Sequence, residues 1–252
     1  MASRSKKKTT KTTGNKTRAS RARGVSPVET PFRWLFRQFL KLLFVLALLG
    51  FAVVCLFALI NPPTTHTMWS EGRRLGTPVE HEWVSADEIA PVMLRSAVAA
   101  EDANFCRHWG FDMDAIRYAI AEGARRGGST ISQQVTKNVF LWQGRSWLRK
   151  ALEALITPVV EIVWSKRRIL EVYLNVAEFD EGVFGIEAAA QHYFRVGADQ
   201  LDSRQASLLA TVLPNPKQRD AAHPTGSMER RARSIRSGAA TIEADGRSDC
   251  FE

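Results

Sequence analysis

Between Leu42 and Ile60 the chain runs for nineteen residues, LLFVLALLGFAVVCLFALI, without one charged side chain. At ~1.5 Å of rise per residue a helix of that length covers about 30 Å, the thickness of a bilayer's hydrocarbon core. A core helix of comparable length carries a polar stripe, which is missing here. Ala58-Leu59-Ile60-Asn61 offers no small-x-small site for signal-peptide cleavage. The run predicts a transmembrane helix over 42–60 and divides the chain into what lies on either side.

The net charge of +9 belongs to one side of that division. Residues 1–41 hold 12 Lys and Arg against the single acid Glu29, whereas the rest of the chain holds 23 bases and 25 acids. The larger part therefore has no phosphate-backbone footprint, and nucleic acid is not an expected partner. The first 24 residues are short of apolar side chains, and the tail over 1–41 is expected to be disordered, a solvated or lipid-touching arm. Arg33, Arg37 and Lys41 abut the span on its N-terminal side, so the positive-inside rule puts the tail in the cytoplasm and everything after Ile60 outside.

Residues 61–84, rich in Pro and Gly at their start, read as a connector that could include a short strand. From Ala86 onward helical periodicity dominates, so the class is mainly α, with one domain over 85–216. Helices are expected from Asp112 to about Arg125, from Ile131 to about Trp142 behind a Thr130/Gln133 capping box, and from Ser146 to Trp164 with a kink at Pro158. Others follow from Ser165 to about Asn175, Gly185 to Phe194 and Ser203 to Leu213. Residues 217–252 are small and charged and are expected to be a poorly ordered tail without chemistry. Cys55, Cys106 and Cys250 are too scattered for a disulfide framework, and no essential bridge is expected.

Three clusters could carry chemistry. Glu101 and Asp102 open EDANFCRHWGFD, at the end of an apolar helix. Such a pair is usually a solvated surface feature, but an acid placed against the helix dipole is also a general-base candidate. GGSTISQQVTKN, Gly127 to Asn138, brings Thr130, Gln134, Lys137 and Asn138 near one helix face, either a hydrated face or a polar, cationic stripe. Arg149 and Glu153 stand at i, i+4 beside Lys150, which alone would suggest only a surface ion pair worth ~0.3–0.5 kcal/mol.

In order, EDxxFxxHxGxD, GGSTxxQQxxKN, RKxxE, SKxxILExYLN (Ser165 to Asn175) and GxxxAAxxYF (Gly185 to Phe194) resemble glycosyltransferase family 51, the peptidoglycan glycosyltransferases. The resemblance covers about residues 83–216, and KRRILEVYLNVAEF and LLATVLPNP are similar to its monofunctional members. It implies a lysozyme-like α domain beside a smaller membrane-proximal jaw. It also implies lipid II as substrate, joined to a growing glycan strand by inverting transfer with release of undecaprenyl pyrophosphate.

By the same resemblance Glu101 is the base that deprotonates the acceptor hydroxyl, and Glu153 is a second catalytic carboxylate. Lys137, Arg149 and Lys150 bind the pyrophosphate, assisted by a divalent ion, Mg or Mn. Asp102, Phe105, His108, Thr130, Gln134 and Asn138 shape the site, His108 as a hydrogen-bonding prop rather than a ligand or base. The implied setting is the bacterial inner membrane, with the catalytic domain periplasmic and other cell-wall proteins as possible partners.

One departure is that Arg195-Val196 stands where the family commonly has Gly-Lys after Tyr-Phe. A glycan hydrolase and a non-catalytic scaffold are the rivals; the cations argue against the first and the two glutamates against the second. A bifunctional penicillin-binding protein would add SxxK and KTG motifs, and no KTG is present.

Overall fold

The computed structural model describes residues 31–121, 128–144 and 146–252. The chain divides into two compact units, residues 1–47 and 48–252. Helix α1, Pro31–Leu59, starts eleven residues before the expected span, so residues 31–41 are helical rather than part of a disordered arm. Those residues include Phe32, Trp34, Leu35, Phe36, Phe39 and Leu40, apolar enough to extend the helix outward from the uncharged run. The stretch Phe32–Leu59 is long and apolar enough to cross a membrane. The rest of the basic tail, residues 1–30, lies outside the described residues.

The connector over 61–84 is more structured than its composition suggests. Thr65 accepts the Met68 amide at 3.2 Å and so caps α2, His66–Leu75, which ends on Gly76 in the left-handed region. Gly72 and the charges at 71, 73 and 74 leave this helix little local signal. Strand β1, Glu80–His81, then pairs in parallel with β3, Val183–Phe184, which is antiparallel to β2, Glu178–Asp180.

Pro91 opens α3, Pro91–Glu101, where its missing N–H costs nothing. Met93, Leu94, Ala97 and Val98 bury one face of α3 against α9, Ser203–Val212, and α10, Gly226–Ala244. Helix α4 covers Met113–Ala121, and the end expected for it near Arg125 lies outside the described residues. The Thr130/Gln133 box forms as expected at the start of α5, Ile131–Phe140. Helix α5 packs on α6, Trp147–Val163, which runs on through Pro158, and on α7, Lys166–Val176. Helix α8, Ile186–Phe194, follows β3.

The expectation of a poorly ordered 217–252 tail is overturned. Helix α10 buries Met228, Ala232, Ile235, Ala239 and Ile242, a single stripe at helical spacing. Two of the five are alanines, so the stripe is faint in sequence, yet Met228, Ile235 and Ile242 contribute about 1.5–3 kcal/mol each when buried. The expectation of no bridge also fails: Cys106 and Cys250 form a disulfide across 144 residues of chain. Beside it, Phe251 is fully buried with its ring centroid 6.3 Å from that of Phe105. Arg167 donates to the Phe251 and Glu252 carbonyls at 2.9 and 2.8 Å.

Candidate active site

Glu101 is the last residue of α3, where helical carbonyls lack intrahelical partners. Arg231 of α10 donates to the Ala100 carbonyl at 3.0 Å and holds this end in place. Gln134 of α5 donates through Nε2 to Glu101 Oε2 at 2.9 Å. Burial pushes the Glu101 carboxyl above its ordinary range, while the Gln134 hydrogen bond and the charges of Arg231 and Arg219 pull the other way. It is a carboxyl biased toward holding a proton, with donors arranged to stabilise the anion.

Asp102 has a different role. Its Oδ2 accepts the Ile131 amide at 3.0 Å, at the positive end of α5, and His108 Nε2 lies 2.9 and 3.1 Å from its two oxygens. Thr130 donates to the Gly110 carbonyl at 2.6 Å. Gly110 sits at φ 86°, and a Cβ there would meet Thr157 Cγ2 at 2.7 Å, so the turn requires glycine twice over. Phe105 is fully buried under the Lys166 ammonium, 4.4 Å from the ring centroid. Asp102, Phe105, His108 and Thr130 thus form a frame behind the cleft, in which His108 bonds to Asp102.

The cations come from two helices. Arg149 binds Glu153 at 2.7 Å and the Gly144 carbonyl at 2.8 Å; Lys150 binds the other Glu153 oxygen and reaches Ser129 Oγ at 3.4 Å. Glu153 is only 2% exposed with both oxygens committed, so its geometry is that of an anchor for two cations. The Lys137 ammonium makes no hydrogen bond among the described residues; burial lowers its pKa while Glu153 raises it.

These groups converge on one cleft of about 900 Å³, lined by Glu101, Gln134, Lys137, Arg149, Lys150 and Glu153 among others. A second cavity of about 440 Å³, lined by Asn138, Glu71, Tyr173, Glu178 and Lys217, shares Gln134, Lys137 and Pro214 with the first. Asn138 accepts from Gln143 there at 3.3 Å.

Arg219, Ser227, Met228 and Arg231 also line the larger cleft and were missed in the sequence, where 217–252 was read as lacking chemistry. The arginine-rich ERRARSIR run was the available signal. A divalent ion has no ready cage: among the described residues no group of three or more His, Cys, Asp and Glu could hold one. The described residues do not by themselves make up a resident metal site.

The chain is similar to known proteins over most of its length. A profile of the family described as Transglycosylase matches residues 70–239. A biosynthetic peptidoglycan transglycosylase of Jannaschia sp. (strain CCS1) is 63% identical over 219 residues, 87% of this chain and 90% of that protein. One from Pseudomonas fluorescens (strain SBW25) is 47% identical over 225 residues, covering 85% and 93%. One from Citrobacter koseri is 46% identical over 214 residues, covering 80% and 88%.

Proposed function

The chain belongs to the transglycosylase family and is a peptidoglycan glycosyltransferase, and from that premise we propose that it polymerises lipid II, using Glu101 as the base. The observation that carries this reading is a single proton-hungry carboxyl facing Lys137, Arg149 and Lys150 across one cleft.

Glu101 takes the proton of the acceptor's sugar hydroxyl as its oxygen attacks the donor's anomeric carbon. The carbon–oxygen bond to the donor's pyrophosphate breaks on the opposite face, which inverts the centre. Lys137, Arg149 and Lys150 take up the charge that develops on the departing undecaprenyl pyrophosphate, and a leaving group so stabilised needs no protonation. Arg219 and Arg231 extend the positive lining beside Glu101. A glycan hydrolase would need a second carboxyl free to protonate the leaving group or activate water. Glu153, held on both oxygens, is not free for that work. A divalent ion would have to arrive on the pyrophosphate, and no step above depends on it.

The substrate's lipid would share the bilayer with α1, whose N-terminal basic residues favour a cytoplasmic start and a catalytic unit outside the inner membrane. Partners then include the growing strand and other wall-building proteins. Labelled lipid II incubated with full-length protein, with and without penicillin and beside Glu101→Gln, tests the reading. Penicillin-insensitive polymer from the wild type alone supports it, whereas cleavage of finished glycan without polymer overturns it.

A further inference from the structure

Tyr173 of α7 is 1% exposed and lines the smaller cavity, with its hydroxyl 3.5 Å from Oε1 of Gln134, which lines both cavities. A side-chain amide has one oxygen that only accepts and one nitrogen that only donates. With the oxygen turned to a phenol, the nitrogen must face Glu101, as it does at 2.9 Å. A phenol can fix the amide in this way only while it keeps its proton. Burial, followed by the charges of Glu101 and Asp102, raises the Tyr173 pKa well above its ordinary value, so it remains a donor at any working pH.

We propose that Tyr173 is a positioning residue for the transfer reaction, acting through Gln134 to keep a donor permanently aimed at the Glu101 carboxylate. The proposal rests on the reading of Glu101 as the base. An unrestrained amide could rotate and offer its oxygen whenever Glu101 is protonated, stabilising the acid as well as the anion. Locked by Tyr173, the amide stabilises only the anion, and so opposes the burial that would otherwise leave too little of the base deprotonated. The other charged groups facing Glu101 are the adjoining Asp102, Lys137 of α5, Arg219, and Arg231 of α10, and all are kept in the variants below.

The test is the pH profile of kcat/KM for lipid II polymerisation by full-length wild type, Tyr173→Phe, Gln134→Ala and the double variant. The acid limb is expected to move up by as much as about one pH unit in Tyr173→Phe, as Gln134 is freed to turn its oxygen to the protonated carboxyl. It is expected to move at least as far in Gln134→Ala, with no further movement in the double variant. An unmoved limb in Tyr173→Phe, or shifts that add in the double variant, overturns the proposal.

Infrared titration of the Glu101 carboxyl, isolated by subtracting Glu101→Gln, gives the same comparison without turnover. Absence of polymer from the wild type would sink the functional reading alone. Equal carboxyl pKa values in wild type and Tyr173→Phe would sink this one. Should Tyr173→Phe not fold, an unmoved carboxyl titration in Gln134→Ala overturns the proposal by itself.

Discussion

Asp102 Oδ2 accepts the backbone N–H of Ile131 at 3.0 Å, so the residue that follows Glu101 is bonded to the first residue of the helix that carries Gln134 and Lys137. The base and its donor are thereby set in register by one buried carboxylate, itself steadied by His108. Asp102→Ala leaves an unpaired amide and an unpaired imidazole in the interior. It should lower stability on the order of 3 kcal/mol and depress polymerisation together, measured by thermal unfolding and lipid II turnover.

Glu101→Gln should abolish polymerisation by about 10²–10⁴-fold while leaving the fold intact. The pKa of Glu101 is raised in the folded state, so the folded protein binds its proton more tightly than the unfolded chain does. Its stabilising contribution is present at low pH and is lost as pH rises from the ordinary glutamate range through the raised value. Glu101→Gln should therefore be at least as stable as wild type at neutral pH. The wild-type rate should fall as pH drops through the raised value, because the base then stays protonated. Chemical denaturation at pH 5 and 8, beside a pH–rate profile, checks both signs.

Glu153→Gln should behave differently. It removes the shared anion between Arg149 and Lys150 at a site 2% exposed, and a loss on the order of 3 kcal/mol is expected. Affinity for inorganic pyrophosphate should fall, measured by calorimetry, because the two cations lose their fixed placement. Unchanged stability and pyrophosphate binding, with lost turnover, would instead mark Glu153 as a direct participant in chemistry.

Replacing both Cys106 and Cys250 by serine releases a loop of 144 residues from constraint. A destabilisation of about 2–4 kcal/mol is expected, seen as a lower midpoint in urea, with protease cleavage appearing first after Ala244. Alkylation of the unreduced wild type in denaturant should label Cys55 alone.

Arg195 ends α8 with φ 60° and ψ 34°, a left-handed conformation that glycine adopts without the penalty of a Cβ. Arg195→Gly should raise stability by roughly 0.5–1 kcal/mol, read as a higher melting temperature. The same replacement restores the glycine expected by resemblance at this position.

Much of the architecture was legible before any coordinates. Thr130, Ser146 and Ser165 each accept an amide three residues on and start α5, α6 and α7 where the sequence put them. Glu101, Lys137, Arg149 and Lys150, from three of the five motifs, line one cleft. Helix α10 was illegible because two alanines weaken its apolar stripe, and α2 because Gly72 and its charges mask a helix that Thr65 caps. With α10 unread, Arg231 beside Glu101 was unread too.

The sequence by itself determined the long apolar helix, the mainly α class and most helix starts, because those depend on groups within one or two turns of each other. The tertiary structure alone decided that Gln134 meets Glu101 33 residues away, that Ile131 meets Asp102 across 29, and that Cys106 finds Cys250 across 144. Such pairings, and the burial that raises the Glu101 pKa, arise from which helix faces pack together. A local pattern names the face that will be buried but carries no label for the face that will bury it.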